Sequence, residues 1–545
     1  MIKNKYINMN KIFNKINFDN YFIKMASCLF VNKLFYFWAF HVFEGKSKHL
    51  VNFLIPGSNY NSESIYQSPS FIISSLGNIF VLLPVILMTV FFVRYKKVTE
   101  WDSFEENKPL KIFIISTCFF VTWIGSLYEY NYYFGSYHFV DRLIILSICF
   151  LCFRHTSFVP VLALTTLISL GQFSYPLQQS ITDKKVAFEF LLLFTSCLVV
   201  KPFIKITSRD VFFLTFTLIG ANYFIPACSK MNIGPSPLSW VFENEFGLHA
   251  IFVFKKGWLE TFDFNYIKLI EDYIMSFSVP MQVTAITIEV LGLFLLWNRR
   301  FTFFLLLCFI CFHSAVFIES GIFFWKWIWF NCLLVFLMFR YKNFFNEHIF
   351  NKRNLFFGIF IVFFSNFIFA PVALGWWDVR YKTCFRIKAT DEDGIEYNFS
   401  GNQIYPYEQV MTFTRFYPLV EPNVQYVTPQ FINHNALVEM KNLNMQNVNT
   451  FIQRNKGSVY SVEYKERFDL LLKRFIKYRN QNLGGKTLFT YTKAPEHIWT
   501  GKYLEDDFPE DKKIASIRIY LEQYLYDQGK LNLVHRDCVY TVDSK

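Results

Sequence analysis

Between residues 28 and 374 the chain returns repeatedly to apolar runs, each close to the ~20 residues that a helix needs to cross ~30 Å of hydrocarbon. The runs fall near 28–43, 71–93, 111–127, 138–153, 158–173, 186–200, 211–227, 279–297, 301–318, 322–339 and 355–374. Backbone polar groups in lipid must be satisfied within their own segment, so each run is expected as a helix. The fold class that follows is a polytopic α-helical membrane protein of about eleven transmembrane helices.

Composition agrees. Of 545 residues, 53% are hydrophobic and 70 are Phe, and the mean hydropathy is +0.25, too apolar for a soluble enzyme of ordinary make-up. Phe, Ile, Asn and Lys are all abundant, as in an AT-rich genome, so the aromatic content is not read as a ligand cage. The formal charge of +12 sits in short loops between apolar runs, where the positive-inside rule accounts for it. No basic tract or nucleic-acid motif occurs, and no nucleic-acid partner is expected.

Alternate loops differ in charge. The amino-terminal segment with 94–111, Arg154, 201–209, 299–300 and 340–353 carries 20 Lys and Arg, against 8 in 44–70, 129–137, 174–185, 228–278 and 319–321. The first set is therefore assigned to the cytoplasm. With an odd number of spans, everything after Gly375 lies outside, which in a bacterium means an inner-membrane protein with a periplasmic carboxyl-terminal part.

Residues 1–27 read as a cytoplasmic segment. The run 28–43 follows without a small-residue cleavage site, so it reads as an uncleaved anchor. It is short and carries Lys33, so it is tilted, partly interfacial or extended at its ends. Residues 28–374 form the membrane domain, with a long outer loop at 228–278. Within that loop Gly234-Pro-Ser-Pro237 signals a turn, and the stretches 240–258 and 264–275 are expected along the membrane surface. There Lys255 and Lys256 are lipid-headgroup contacts.

Residues 375–545 change to the composition of a small soluble α+β domain. Asp391-Glu-Asp-Gly394 reads as a hairpin turn, 514–526 with 531–542 as a second hairpin across Asp527-Gln-Gly529, and 465–483 as a helix. The acidic turn lacks the ligand spacing of an EF-hand, so no calcium is expected there. Cys149-x-x-Cys152 and Cys308-x-x-Cys311 sit inside apolar runs and read as small hydrophobes, so no metal is assigned. Cys384 and Cys538 are placed to pair in an oxidising compartment.

Ionisable groups inside apolar runs need a partner, a water-filled space or a function. Those in question are His138 and Arg142, Lys230 at the outer end of its run, Glu289, and His313, with Glu319 and Lys326 near an outer turn. Arg142 is expected to snorkel or to pair with Asp141 or another carboxylate, and Lys326 to pair with Glu319. Glu289 needs protonation or a cation, for which Lys230 and Arg142 are the candidates. Lys230 is either an interfacial anchor or a base, and each histidine either a hydrogen-bonded core group or a catalyst.

The strings Tyr223-Phe-Ile-Pro-Ala-Cys-Ser-Lys230-Met, Glu289-Val-Leu-Gly-Leu-Phe-Leu-Leu-Trp-Asn-Arg-Arg300 and Cys311-Phe-His313, in that order, resemble the vitamin K-dependent gamma-carboxylase family and its bacterial HTTM-domain relatives. The resemblance covers roughly residues 22–378. It implies a quinol- and oxygen-linked carboxylase or oxygenase using a reduced, vitamin K-like quinone with O2 and CO2. Lys230 falls on the family's catalytic lysine, His138 near a histidine of an Asn-Asn-His string, and His313 on a Phe-His position. An amine withdrawn from water favours its neutral form and can take a proton from a quinol-like hydroxyl. His138 or His313 then stabilises the oxyanion and Glu289 orients the lysine. The chain departs from the family in lacking the Asn-Asn pair and in reading Ala-Cys-Ser-Lys-Met where Gly-x-Lys-Lys-Leu is usual. The implied partners are the lipid bilayer and a periplasmic polypeptide. The alternative is a non-enzymatic membrane protein that binds a lipid or quinone and displays its carboxyl-terminal domain to an envelope protein; a transporter is the third reading.

Overall fold

The computed structural model describes residues 20–43, 70–99, 107–127, 139–171, 185–255, 258–259, 262–369, 371–372, 375, 377–399, 420–421, 434–454, 458–459, 462–483, 495 and 507–544. These residues are mostly helical, with a small antiparallel sheet towards the carboxyl terminus. In chain order the helices are α1 (Asn20–Phe43), α2 (Phe71–Ser75), α3 (Ile79–Thr99), α4 (Lys108–Leu127), α5 (Phe139–Arg154), α6 (Val159–Gly171), α7 (Lys185–Val200) and α8 (Ser208–Met231). There follow α9 (Ser239–Glu243), α10 (Leu248–Lys255), α11 (Phe264–Leu291), α12 (Arg299–Ser320), α13 (Trp325–Arg340), α14 (Lys352–Phe363) and α15 (Ser365–Ile368). Among the described residues, four segments are long and apolar enough to cross a membrane: Lys108–Ser126, Ser208–Met231, Phe264–Phe294 and Arg299–Ser320. Shorter apolar helices occupy Ile79–Tyr95, Thr156–Ser169 and Val186–Val200.

Helix α8 is the hub. Its apolar window is 89% buried, against 17% for the α11 segment and 28% for α12, so α8 packs inside while the other two expose apolar faces suited to lipid. Its start is set locally by a capping box in which Thr207 and Asp210 exchange hydrogen bonds. From α1, Lys24 adds an ion pair to Asp210 at 2.6 Å. Gly220 of α8 lies against Gly292, just beyond α11. A Cβ on Gly220 would stand 2.5 Å from the Gly292 carbonyl oxygen, so only glycine permits this approach.

Helix α11 corrects one expectation. Residues 264–278, expected within the outer loop, form the first half of one helix that runs through Pro280 to Leu291 and tightens into a 3-10 turn over Gly292–Phe294. Asp263 caps its start by accepting from the Asn265 N–H. The amphipathic pattern of this half is present in the structure: Ile267, Glu271 and Ile274 are buried on one face while Tyr266, Leu269 and Tyr273 are exposed. At 31 residues the Phe264–Phe294 segment is about 46 Å long, more than ~30 Å of hydrocarbon requires.

The carboxyl-terminal part contains β1 (Tyr381–Asp391), β2 (Glu396–Asn398), β3 (Val420–Glu421), α16 (His434–Lys441), α17 (Val448–Arg454), β4 (Ser458–Val459), α18 (Val462–Gln481), β5 (Ile514–Asp527) and β6 (Lys530–Asp543). The main sheet is antiparallel throughout, in the order β2-β1-β5-β6. Both expected hairpins form. Gly394 adopts φ +82° in the first turn, and Gln528 and Gly529, at φ +50° and +69°, make the tight second one. Helix α18 lays Leu472, Phe475 and Ile476 on the sheet beside Ile517, Ile519 and Val542.

In the acidic turn, Asp391 Oδ1 accepts from the Asp393 and Ile395 N–H groups at 3.0 and 2.8 Å, and its other oxygen bonds the Lys512 ammonium. That ammonium holds Asp391 below its ordinary pKa of 3.8, and the carboxylate raises Lys512 above 10.5. Cys384 and Cys538 lie on strands that are not neighbours in the sheet. Cys384 pairs with Glu522 and Cys538 with Tyr520 on opposite edges of β5, so a whole strand separates them, about 9 to 10 Å and beyond disulfide reach. Cys538 is free and exposed.

The sheet is anchored on the bundle. Tyr381, Leu525 and Phe451 pack with Ile233, Trp240, Val241, Ile286 and Trp377, while Tyr524 and Tyr526 pack with Leu248, Ile251, Phe252 and Ile267. Tyr526 donates to Glu271 Oε2 at 2.9 Å; burial and that carboxylate raise the tyrosine's pKa.

Candidate acid–base site in the bundle

Residues seven apart on an α-helix share a face, about 10 Å apart along the axis. On α8, Tyr223 and Lys230 stand in that relation, and each meets a polar group from another helix.

Lys230 points back down its own helix, as helical side chains do, and donates to both carboxylate oxygens of Glu289 on α11 at 2.7 and 2.8 Å. Both side chains are buried. The Trp240 ring lies 5.6 Å from the ammonium and covers it. The structure thus gives Glu289 its cation from Lys230, while Asp141, expected beside Arg142, accepts from Ser70 and from the Ile72 N–H. The pair is neutral overall whether the shared proton rests on nitrogen or oxygen, so the proton can change sides without moving net charge.

Tyr223 organises the second cluster. Its ring stacks on Phe309 of α12, with centroids 3.4 Å apart and planes within 4°. Asn331 of α13 donates to the tyrosine oxygen at 2.8 Å, and His313 Nε2 of α12 lies 2.8 Å from the same oxygen. The tyrosine oxygen accepts from Asn331, and it donates to or accepts from His313 Nε2 according to the tautomer of the ring. Trp327 closes on both rings at 5.6 and 6.4 Å.

Of the residues singled out from sequence, Glu289 of α11 therefore meets Lys230 of α8, and His313 of α12 meets Tyr223 of the same helix in a separate cluster. His138 lies outside the described residues. Glu319 has its carboxylate 3.9 Å from His249 Nε2, and the Lys326 ammonium lies 5.0 Å from the Trp325 ring. Sequence reasoning overlooked Tyr223 and Asn331 as polar partners. It also missed Glu189, an acid four residues past the start of α7 that accepts from Tyr36 and Asn222, both at 3.1 Å. The signal was present, since Glu189 interrupts an apolar run as Glu289 does.

Comparison with protein-family models, with curated proteins and with solved structures finds no match to this chain.

Proposed function

We propose that this chain is an integral membrane protein of the HTTM and vitamin K-dependent gamma-carboxylase-like type, whose Lys230–Glu289 pair acts on an oxygen-bound proton of a lipid-soluble, quinol-type substrate. The observation that carries the reading is the buried, bidentate contact between these two groups beside the Trp240 indole of α9, made by a lysine on the same helix, α8, that presents Tyr223 to His313. The reading includes about eleven spans, a bacterial inner-membrane location and a periplasmic carboxyl-terminal domain that meets a polypeptide substrate.

The residues suit such a molecule. Aromatic side chains surround both polar groups: Phe309 and Trp327 pack on Tyr223, and Trp240 lies beside Lys230, apolar surroundings of the kind a lipid-soluble substrate requires. When bound, a reduced quinone supplies weakly acidic hydroxyls and reducing electrons for oxygen, and carbon dioxide is the further reactant that the resemblance brings. Lys230 Nζ is the atom that gains or loses the proton. Glu289 stores that proton when the amine is neutral and holds the ammonium when it is not. Tyr223 and His313 form a second donor–acceptor pair, placed to neutralise charge that develops on oxygen.

The same contact favours a second reading, in which Lys230 and Glu289 are a structural clasp beneath Trp240 and the protein binds a lipid, quinone or envelope protein without chemistry. Purified protein, wild type and Lys230→Ala, incubated with reduced quinone and oxygen and analysed by mass spectrometry, separates the two. An oxidised product from wild type alone, with both proteins folded, supports the acid–base site. Equal product from both, or none from either with a co-purifying lipid or protein, overturns it in favour of the clasp.

A further inference from the structure

Three polar side chains outside the Lys230 site meet where the carboxyl-terminal domain joins the bundle: His249 of α10, Glu319 near the end of α12, and Asp378 just before β1. His249 Nδ1 lies 3.0 Å from Asp378 Oδ1, and His249 Nε2 lies 3.9 Å from Glu319 Oε2. A carboxylate accepts, so the Asp378 contact places a ring proton on Nδ1. The neutral ring then turns the Nε2 lone pair towards a second carboxylate, at a distance too long for a direct hydrogen bond. Two acceptors facing one another repel unless a proton or a donor lies between them.

The other carboxylate oxygens make the same demand. Asp378 Oδ2 and Glu319 Oε1 are buried without a hydrogen-bond partner among the described residues, and Asp378 is only 2% exposed. The arrangement is held from behind: the Asp378 N–H donates to Asn244 Oδ1 at 2.6 Å, and the Asn244 amide donates to Gln282 Oε1 at 3.1 Å. Gln282 and Glu289 are seven apart on α11, so the support for Asp378 and the partner of Lys230 stand on one helix face. A further charged group acting on Glu319 is Lys382, whose ammonium lies 5.1 Å from the Phe252 ring. The His249 and Glu319 side chains are 14% and 16% exposed, against 1% for Asp378, so Asp378 is the innermost of the three.

We propose that Asp378, His249 and Glu319 form a proton relay serving the Lys230–Glu289 pair, with water as the bridging ligand between His249 Nε2 and Glu319. The proposal rests on the acid–base reading of that pair. In one transfer the water O–H bond breaks as the Nε2–H bond forms, and the water oxygen takes the proton of the Glu319 carboxyl group. Water is regenerated, Glu319 is left as carboxylate, and Asp378 holds the resulting imidazolium. His249 is a positioning and relay residue that touches no reacting atom of the substrate.

The test uses the full chain in lipid nanodiscs with nitrogen-15-labelled histidine, His249→Gln assigning the signals of His249. Expected is a neutral ring protonated at Nδ1, an Nε2 signal that moves in Glu319→Gln, and loss of the single tautomer in Asp378→Asn. A ring protonated at Nε2 with bare Nδ1, or signals indifferent to both substitutions, overturns the relay. These outcomes need no turnover, so they are separable from failure of the quinol reading. Where turnover is measured, His249→Ala is expected to be slower by roughly tenfold or more and to be restored by added imidazole, whereas Lys230→Ala is not restored. A loss in His249→Ala that imidazole leaves unchanged makes the histidine structural and overturns the relay.

Discussion

Lys230 Nζ donates to both carboxylate oxygens of Glu289, at 2.7 and 2.8 Å, across 59 residues of sequence. Neither side chain is more than 5% exposed, so each charge depends on the other for the solvation it has lost.

Removing one partner therefore strands a buried charge. Glu289→Leu is expected to destabilise the protein by about 3–5 kcal/mol, while Lys230→Met combined with Glu289→Leu recovers most of that loss. Unfolding of the three variants in detergent measures the difference. A double variant no more stable than Glu289→Leu would show that the two residues do not act as an isolated pair.

Tyr223→Phe keeps the stack on Phe309 but deletes the hydroxyl shared by Asn331 and His313. Two buried polar groups lose a partner together, at an expected cost of about 1–3 kcal/mol. The decisive comparison is with Asn331→Leu/Tyr223→Phe, which removes one of those stranded groups and is expected to unfold at a higher temperature than Tyr223→Phe alone.

The close approach of Gly220 and Gly292 is needed to bring α8 and α11 together. Gly220→Ala puts a methyl group 2.5 Å from a backbone oxygen, and a cost of about 1–3 kcal/mol is expected as the helices part. Gly292→Ala, whose nearest contact is 3.1 Å, is expected to cost less. Thermal midpoints of the two single variants test that order.

Stability in the carboxyl-terminal domain is expected to depend on pH through Asp391 and Lys512. The pKa of Asp391 is lowered on folding, so its contribution is complete above the ordinary value of 3.8 and is lost as pH falls through the depressed folded value. That of Lys512 is raised, so its contribution is complete below the ordinary 10.5 and is lost as pH rises towards the higher folded value. The difference in thermal midpoint between wild type and Lys512→Met is therefore expected to be flat from about pH 5 to pH 9 and to shrink on either side. A difference that varies steadily across that plateau would contradict the assignment.

Cys538 is expected to react with a maleimide in the folded, unreduced protein, and prior reductant is expected to leave the mass of the adduct unchanged. A Cys384–Cys538 crosslink in peptide mapping would require a register other than the one that places β5 between them.

What could be read in advance was local. Apolar runs of helical length and turns at Gly394 and Gly529 depend on residues a few positions apart, so composition and spacing determined them. The polarity of Lys230, Glu289 and His313 was also plain, because an ionisable group in an apolar run stands out wherever the run packs. Their partners were not plain. Lys230 meets Glu289 because two glycines let α8 and α11 approach, and His249 meets Asp378 and Glu319 because three distant segments converge. Likewise, Phe264–Leu291 became one helix instead of a surface loop and a span because its first half has Tyr526 and the α10 core to pack against. Period and side-chain polarity belong to the chain itself; which buried charge faces which depends on inter-helix distance and strand register, and those exist only once the whole chain has packed.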